Sequence, residues 1–373
     1  MPEVHAILSA SSSKRWLNCT PSARLEQNFP NESSVYAEEG TAAHALGEYK
    51  LRKYLHERVQ RPTSEFDSEE MEGNTDIYAE FIINQIERIK ETCPHPLVMV
   101  EERLDYSYLV PDGFGTGDCV IIADGTLYVL DYKNGKGVFV SCDHNPQMML
   151  YALGALEIFD GIYDIDTVRM TIYQPRKSNI SIFEMSKDAL LTWADTELTE
   201  KARLAYEGQG NFSCGEWCRF CKAKAECRER AIYNLRLAQY DFLNPALLQD
   251  EEIADILGRI DALTSWASDV KEYALQQAIS GKEWTGWKLV EGRSNRKYTS
   301  EADVAAAVDS VGLDPYERKV LGVTAMQKLL GKTRFEEILS PYIEKPQGKP
   351  TLVLDSDKRP AMNTAKNDFM EEF

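Results

Sequence analysis

Long apolar runs are missing from this 373-residue chain, and none approaches the ~20 residues that a membrane-spanning helix needs. A membrane partner is therefore not expected. Residues 1–13 lack a basic start followed by an apolar segment, so no secretory leader is expected and a cytoplasmic location is. Positive charge is scarce, with 42 Lys and Arg against 60 Asp and Glu and a net charge of −18. That balance argues against indiscriminate binding to nucleic acid or anionic membranes, though not against an enzyme that grips DNA locally. No internal repeat or low-complexity segment stands out. At 43% hydrophobic residues the chain is too apolar to be disordered, and its length fits two domains of ~150 residues or one elaborated α/β core. Of its eight cysteines, four crowd into 214–227, which reads as metal binding more readily than as a disulfide frame.

Charge is unevenly spread. Residues 62–80 hold seven acids and no Lys or Arg, whereas 14–24 hold Lys14, Arg15 and Arg24 with no acid. Further basic stretches run from Lys50 to Arg61 and from Lys288 to Lys297.

Apolar spacing predicts helices over 35–59 and 75–92, with an acidic loop from Glu65 to Asn74 between them. Strands are predicted over 97–108, 117–123 and 126–132. Asp124-Gly125 between the second and third signals a tight hairpin. A helix over 146–159, strands over 168–173 and 180–183 and a helix over 187–207 follow. Beyond the cysteine module at 211–230 the composition is helical, notably over 251–279 and 300–311. From Pro341 the chain is loop-like and ends in an acidic tail. The expected division is a mixed α/β core over 1–235 and a helical region over 236–373.

The sharpest chemistry lies in the hairpin. An acid two residues before a lysine occurs four times, at Glu48/Lys50, Asp131/Lys133, Asp269/Lys271 and Glu317/Lys319. Three of these fall in predicted helices, where i,i+2 side chains diverge. Asp131/Lys133 ends a strand, where a period of two puts both side chains on one face. Across the hairpin stands another acid, Asp118. Two carboxylates and an ammonium at a sheet edge are costly unless something binds between them. A hard cation, Mg²⁺ or Mn²⁺, answers that cost, with Asp118 and Asp131 as ligands and Lys133 steadying charge on a phosphate.

These residues resemble the RecB-like branch of the PD-(D/E)XK nuclease superfamily, which implies a restriction-endonuclease-like core of mixed sheet flanked by helices. Gly115-Thr-Gly-Asp118 resembles its second motif and Val129-Leu-Asp131-Tyr-Lys133-Asn-Gly135 its third. Gln147-Met-Met-Leu-Tyr151 resembles the helix that follows, whose i and i+4 positions share a face. Gly40-Thr-Ala-Ala-His44 resembles an upstream element whose histidine is a further metal ligand. The resemblance implies catalytic Asp118, Asp131, Lys133, Gln147 and Tyr151, metal ligands His44, Asp118 and Asp131, and a supporting glutamate at Glu102.

Cys214-x3-Cys218-x2-Cys221-x5-Cys227 is a strong ligand pattern. Read by itself it admits Zn²⁺ on Cys214, Cys218, Cys221 and Cys227, or a [4Fe–4S] cluster on three of these and a distant thiolate. AddB-type helicase–nuclease subunits and the nucleases of CRISPR spacer acquisition carry one cysteine before the nuclease core and three after it. Ser11 to Pro21, with Cys19, resembles the first element, and Cys218, Cys221 and Cys227 resemble the later three. The resemblance favours the cluster on Cys19, Cys218, Cys221 and Cys227, leaving Cys214 surplus. Cys93, Cys119 and Cys142 read as ordinary thiols.

Residues 284–373 resemble the tail of phage-encoded RecB-like proteins. Arg293, Arg296 and Lys297 could grip phosphates, and Trp284 and Trp287 read as packing residues ahead of base-stacking ones. The implied protein is an iron–sulfur, metal-dependent DNA exonuclease of phage recombination or replication, in the cytoplasm of the bacterial host. A phage single-strand-binding or annealing protein is an implied partner. The rival reading is a DNA-end or single-strand-binding module with a vestigial nuclease site.

Overall fold

The computed structural model describes residues 6–31, 34–236, 248–290, 298–310, 312–316 and 319–344. The chain forms two compact units, Met1–Val290 and Glu291–Phe373. In the first, two short helices, Ser13–Asn18 (α1) and Ser22–Leu25 (α2), precede two long ones, Val35–Tyr54 (α3) and Glu69–Lys90 (α4). The predicted acidic loop is corrected here, because its second half is the first turn and a half of α4. Ser68 caps that helix on the Met71 amide, and Glu69, Glu70 and Glu72 sit at its positive end. Lys50 on α3 holds the turn from outside through the Glu72 carbonyl and the Thr75 hydroxyl, at 2.9 and 2.8 Å.

Five strands make one sheet in the order β1 to β5: Leu97–Asp105, Phe114–Ala123, Thr126–Tyr132, Thr167–Gln174 and Asn179–Ser186. Neighbours are antiparallel except β3 and β4, which run parallel. Parallel neighbours need a crossover, and helix Pro146–Phe159 (α5) supplies it. The β2–β3 turn has positive φ at both Asp124 (46°) and Gly125 (72°), the geometry that a two-residue hairpin favours. The sheet is thus mixed and helix-flanked, the coarse architecture expected.

Each face of the sheet buries its own core. Val120, Ile122, Leu127 and Val129 pack with Met148, Ala152 and Leu156 of α5. On the opposite parity, Cys119, Ile121, Leu130 and Tyr132 pack with Leu46 of α3 and Tyr78, Ile82 and Ile86 of α4. α5 lies close against β1: a Cβ on Gly154 would sit 2.9 Å from Leu104 Cβ and 3.1 Å from its carbonyl carbon. Backbone cannot yield as a side chain can, so Gly154→Ala is expected to cost ~1–3 kcal/mol. Chemical denaturation followed by circular dichroism measures this.

Past the sheet, Lys187–Trp193 (α6) and Thr199–Glu207 (α7) form one run interrupted by a π turn at Ala194–Leu198. Arg228–Leu235 (α8) and the 30-residue Asp250–Ile279 (α9) complete the unit. Composition placed a boundary at 235/236, whereas the first unit runs to Val290. Asp269 explains why: from α9 it pairs with Arg230 on α8 at 2.5 Å and with Lys224 at 2.8 Å. Burial works to raise the Asp269 pKa, but these two cations outweigh it and hold it below the ordinary aspartate value. A lowered folded-state pKa gives stability that is present above the unfolded value of ~3.9 and is lost as pH falls. The Asp269→Asn protein is therefore expected to lose part of the wild-type stability at pH 7 and to differ less from wild type near pH 3. Urea titrations at the two pH values check this.

The Trp284 indole donates to the Ala274 carbonyl at 2.9 Å and meets Tyr273 edge-on, so it is a packing residue, while Trp287 is exposed. In the second unit, Glu301–Asp309 (α10), Val323–Leu330 (α11) and Lys332–Leu339 (α12) are helical. Arg293, Arg296, Lys297 and the tail from 345 lie outside the described residues. Among the described residues no helix is long and apolar enough to cross a membrane.

Candidate metal centre at the sheet end

Asp118 on β2 and Asp131 on β3 come from neighbouring antiparallel strands. They fall just past the last β2–β3 rung, Cys119 opposite Leu130, where the two strands part. Both are buried, at 8% and 2% exposure. Asp118 Oδ2 accepts the Tyr132 amide at 2.6 Å, and Oδ1 lies 3.1 Å from His44 Nδ1, brought in by α3. Asp131 lies 2.9 Å from Lys133 Nζ through Oδ2, and its Oδ1 accepts the ammonium at 3.1 Å and Gln147 Nε2 at 3.4 Å. Gln147 Nε2 also reaches the Tyr151 hydroxyl at 3.1 Å, one turn along α5. The structure therefore brings His44, Asp118, Asp131, Lys133, Gln147 and Tyr151 to one end of the sheet.

The glycines of the Gly115-Thr-Gly-Asp segment have a steric reason. A Cβ on Gly115 would stand 2.5 Å from the Tyr151 ring, and one on Gly117 would stand 2.8 Å from Leu104 Cδ1. Small residues there let α5 approach β2 closely enough for Gln147 and Tyr151 to reach the carboxylates.

A further site residue is Glu101. His44, Glu101 and Asp118 each offer a ligand atom within 4.8 Å of the others, the one such set among the described residues. The sequence reading gave the supporting role to Glu102. Between the rungs Val100–Cys119 and Glu102–Gly117 the register is unbroken, and Glu101 stands opposite Asp118 without ladder pairing, its φ at 53°. A positive φ departs from extended strand geometry and re-aims a side chain that strict alternation would place elsewhere. The adjacent glutamates were the visible signal, and which of them turns inward was not legible from a period of two.

Electrostatics follow from crowding charge in a buried place. Burial works to raise the Asp118 pKa, but the charge and hydrogen bond of His44 and the charge of Lys133 bring it below the usual value. Burial raises the Asp131 pKa, aided by Asp118 and opposed by Lys133. Burial pushes Glu101 up to about 7, with the Asp118 charge adding to it. For His44 burial pulls downward, yet Asp118 outweighs it and the pKa rises to about 8. Lys133 is likewise raised, since Asp131 and Asp118 overcome its burial. Asp131 Oδ2 is held only by its ion pair with Lys133, and the buried Tyr78 hydroxyl lacks a hydrogen-bond partner. Burial followed by the charges of Asp118, Cys119, Asp131 and Glu101 raises the Tyr78 pKa.

The cysteine module is clasped to the N-terminal helices. Thr20 Oγ1 donates to the Gln209 carbonyl at 2.6 Å, Lys222 N donates to Glu26 Oε1 at 2.7 Å, and Arg24 Nε donates to the Tyr206 carbonyl. A cavity between them is lined by Cys19, Cys218, Cys221 and Cys227, with Arg15, Lys224 and Arg230 also in its wall. Cys214 lies to one side, its Sγ 3.9 Å from Cys218 Sγ. The thiols line this space without drawing into a tight set. The Cys214 hydrogen bond lowers Cys218 to about 6, helped by Arg230 and Arg15 against burial, while burial pushes Cys221 up to about 12.

Comparison with known proteins places a single family model over almost the whole chain: the family described as "Protein of unknown function (DUF2800)" matches residues 5–360. Among solved structures, one titled "Crystal structure of SSO0001" is similar at 14% identity, over 49% of this chain and 95% of that one, with a TM-score of 0.21.

Proposed function

The chain belongs to the DUF2800 family, and from its buried carboxylate–lysine site we propose that it is a metal-dependent deoxyribonuclease. We read it as an exonuclease that resects DNA ends in phage recombination or replication. One observation carries this reading. Three acids, an imidazole and an ammonium converge at a sheet end, with His44, Glu101 and Asp118 each offering a ligand atom within 4.8 Å of the others. Carboxylates crowded in a buried place are expensive, and a cation among these groups offsets that cost.

The donor set suits a hard divalent ion. His44, Glu101 and Asp118 would hold it, and Asp131, which lies outside that set and pairs with Lys133, would join them as a fourth ligand. Bound there, Mg²⁺ or Mn²⁺ supplies Lewis acidity towards phosphate and a lowered pKa for water. The chain's own groups do the rest. Gln147 and Lys133 together fix the Asp131 carboxylate, which keeps its orientation while substrate changes around it. The Lys133 ammonium, kept protonated by its neighbours, offers a positive charge to the phosphate oxygens as negative charge builds on them. Tyr151 anchors Gln147 from the next turn.

A second resident group belongs to this proposal, an iron–sulfur cluster on Cys19, Cys218, Cys221 and Cys227, which line one cavity. Cationic side chains beside a cavity favour thiolates, and Cys19 lies in its wall where Cys214 does not. Its role would be structural, joining chain ends about 200 residues apart.

Digestion of end-labelled linear and closed circular DNA with Mg²⁺ or Mn²⁺ tests the proposal. Loss of label from linear DNA alone is expected. DNA binding without cutting in either metal would move the assignment to an end-binding module. Within this reading, Glu101→Gln is expected to weaken Mn²⁺ binding by roughly tenfold or more, and Glu102→Gln to leave it unchanged. Metal titration calorimetry on the two proteins decides between the neighbouring glutamates.

A further inference from the structure

Six residues after Lys133 and eight before Gln147, Phe139 stands 62% exposed in the segment that joins two parts of the site. A single exposed aromatic is ordinary on a protein surface. What sets Phe139 apart is how its neighbours are held. Gln174 donates to the Val138 carbonyl at 2.9 Å and accepts the Val140 amide at 2.9 Å. Asn179 donates to the Val140 carbonyl at 3.0 Å and to Gln174 Oε1 at 2.8 Å. Both amide side chains are buried, at 1% and 6% exposure. Two residues on, the Cys142 amide donates to Ser181 Oγ at 2.8 Å. With the backbone locked on both sides, Val138 and Val140 turn partly inward and Phe139 is driven outward.

The anchors lie at the site end of the sheet. Gln174 follows Tyr173, whose carbonyl accepts the Lys133 amide at 2.9 Å, and the Cys142 thiol feels the charge of Asp131. A second exposed aromatic, Tyr36, stands 84% exposed on the first turn of α3. It lies three residues before Glu39, whose carboxylate accepts Arg176 Nη1 at 2.7 Å. The same guanidinium reaches the Asn134 carbonyl at 3.4 Å, so α3 and the residue after Lys133 meet at Arg176.

Charge has little left to give here. Arg176 is paired with Glu39 and Glu70, Lys136 with Glu70 at 2.7 Å, and Lys133 with Asp131. In a chain of net charge −18, a polyanion gains little from such neutralised cations. The flat face that every nucleobase offers to an aromatic ring is the remaining handle. We infer that Phe139 forms a nucleobase-stacking site that seats an unpaired base at the mouth of the metal centre. The choice of ligand rests on the nuclease reading; the presentation of the ring does not.

The test uses full-length protein carrying Asp131→Asn, so that DNA stays whole, and a single-stranded oligonucleotide with 2-aminopurine near one end. Binding is expected to change the 2-aminopurine emission through stacking. Adding Phe139→Ala should remove that change and weaken binding about tenfold, whereas Phe139→Trp should keep both. The salt dependence of binding should be the same with and without Phe139→Ala, since no phosphate contact is lost. In the otherwise wild-type protein, Phe139→Ala should raise KM about tenfold with kcat and melting temperature nearly unchanged. Wild-type protein that cuts DNA, with Phe139→Ala leaving emission and affinity unaltered, overturns the stacking site and leaves the nuclease reading standing. Stacking that depends on Phe139 in a wild-type protein unable to cut would do the reverse.

Discussion

Asp131→Ala is expected to lower DNA cleavage by roughly a thousandfold or more, since losing one preorganised charged group at a reacting phosphate typically costs ~10²–10³. Two losses combine here. The carboxylate that fixes Lys133 and receives Gln147 disappears, and with it a ligand proposed for the metal. Asp131→Asn keeps shape and volume while removing the charge, so comparable inactivity in both variants assigns the effect to charge. The measurement is single-turnover cleavage of end-labelled duplex by protein freed of host nucleases. Wild-type rates in Asp131→Ala would sink the enzyme assignment outright.

The second large effect is expected at Cys19. Cys19→Ala should yield protein without bound iron or labile sulfide and with a melting temperature lower by many degrees. The corresponding Cys214→Ala protein should keep its iron and its colour. The difference rests on position: Cys19 is buried in the cavity wall shared with Cys218, Cys221 and Cys227, and Cys214 is not part of that wall. A resident cluster would close a loop of about 200 residues, and restricting so long a loop lowers unfolded-state entropy. Anaerobic purification followed by iron and sulfide assay and visible absorption gives the result. Colourless protein with stoichiometric zinc, retained in Cys19→Ala and lost in Cys214→Ala, would transfer the site to the local four cysteines.

Much of the site was legible from local pattern. Asp131 and Lys133 share a face because a strand repeats every two residues, and Asp124-Gly125 fixes the hairpin that sets Asp118 across from them. Gln147 and Tyr151 were legible for the same kind of reason, being one helical turn apart on α5. Glu101 was not, because its positive φ breaks the alternation on which the reading depended. The start of α4 was misplaced because a run of acids resembles a solvated loop, until Ser68 and the helix's own positive end are taken into account. The reach of the first unit to Val290 was also hidden, since Asp269 meets its two cations only after α8 and α9 have packed.

By itself the amino-acid order determined the elements: which stretches are helix or strand, where the hairpin turns, and which acids and thiols are available as ligands. Those are consequences of short-range spacing, and spacing is present in the chain before it folds. The tertiary structure decided which glutamate turns inward, that His44 on α3 meets Asp118 on β2, and that Cys19 shares a cavity with cysteines about 200 positions later. Such meetings arise from packing helices on both faces of a sheet and from one strand residue with a positive φ, and no local rule contains them.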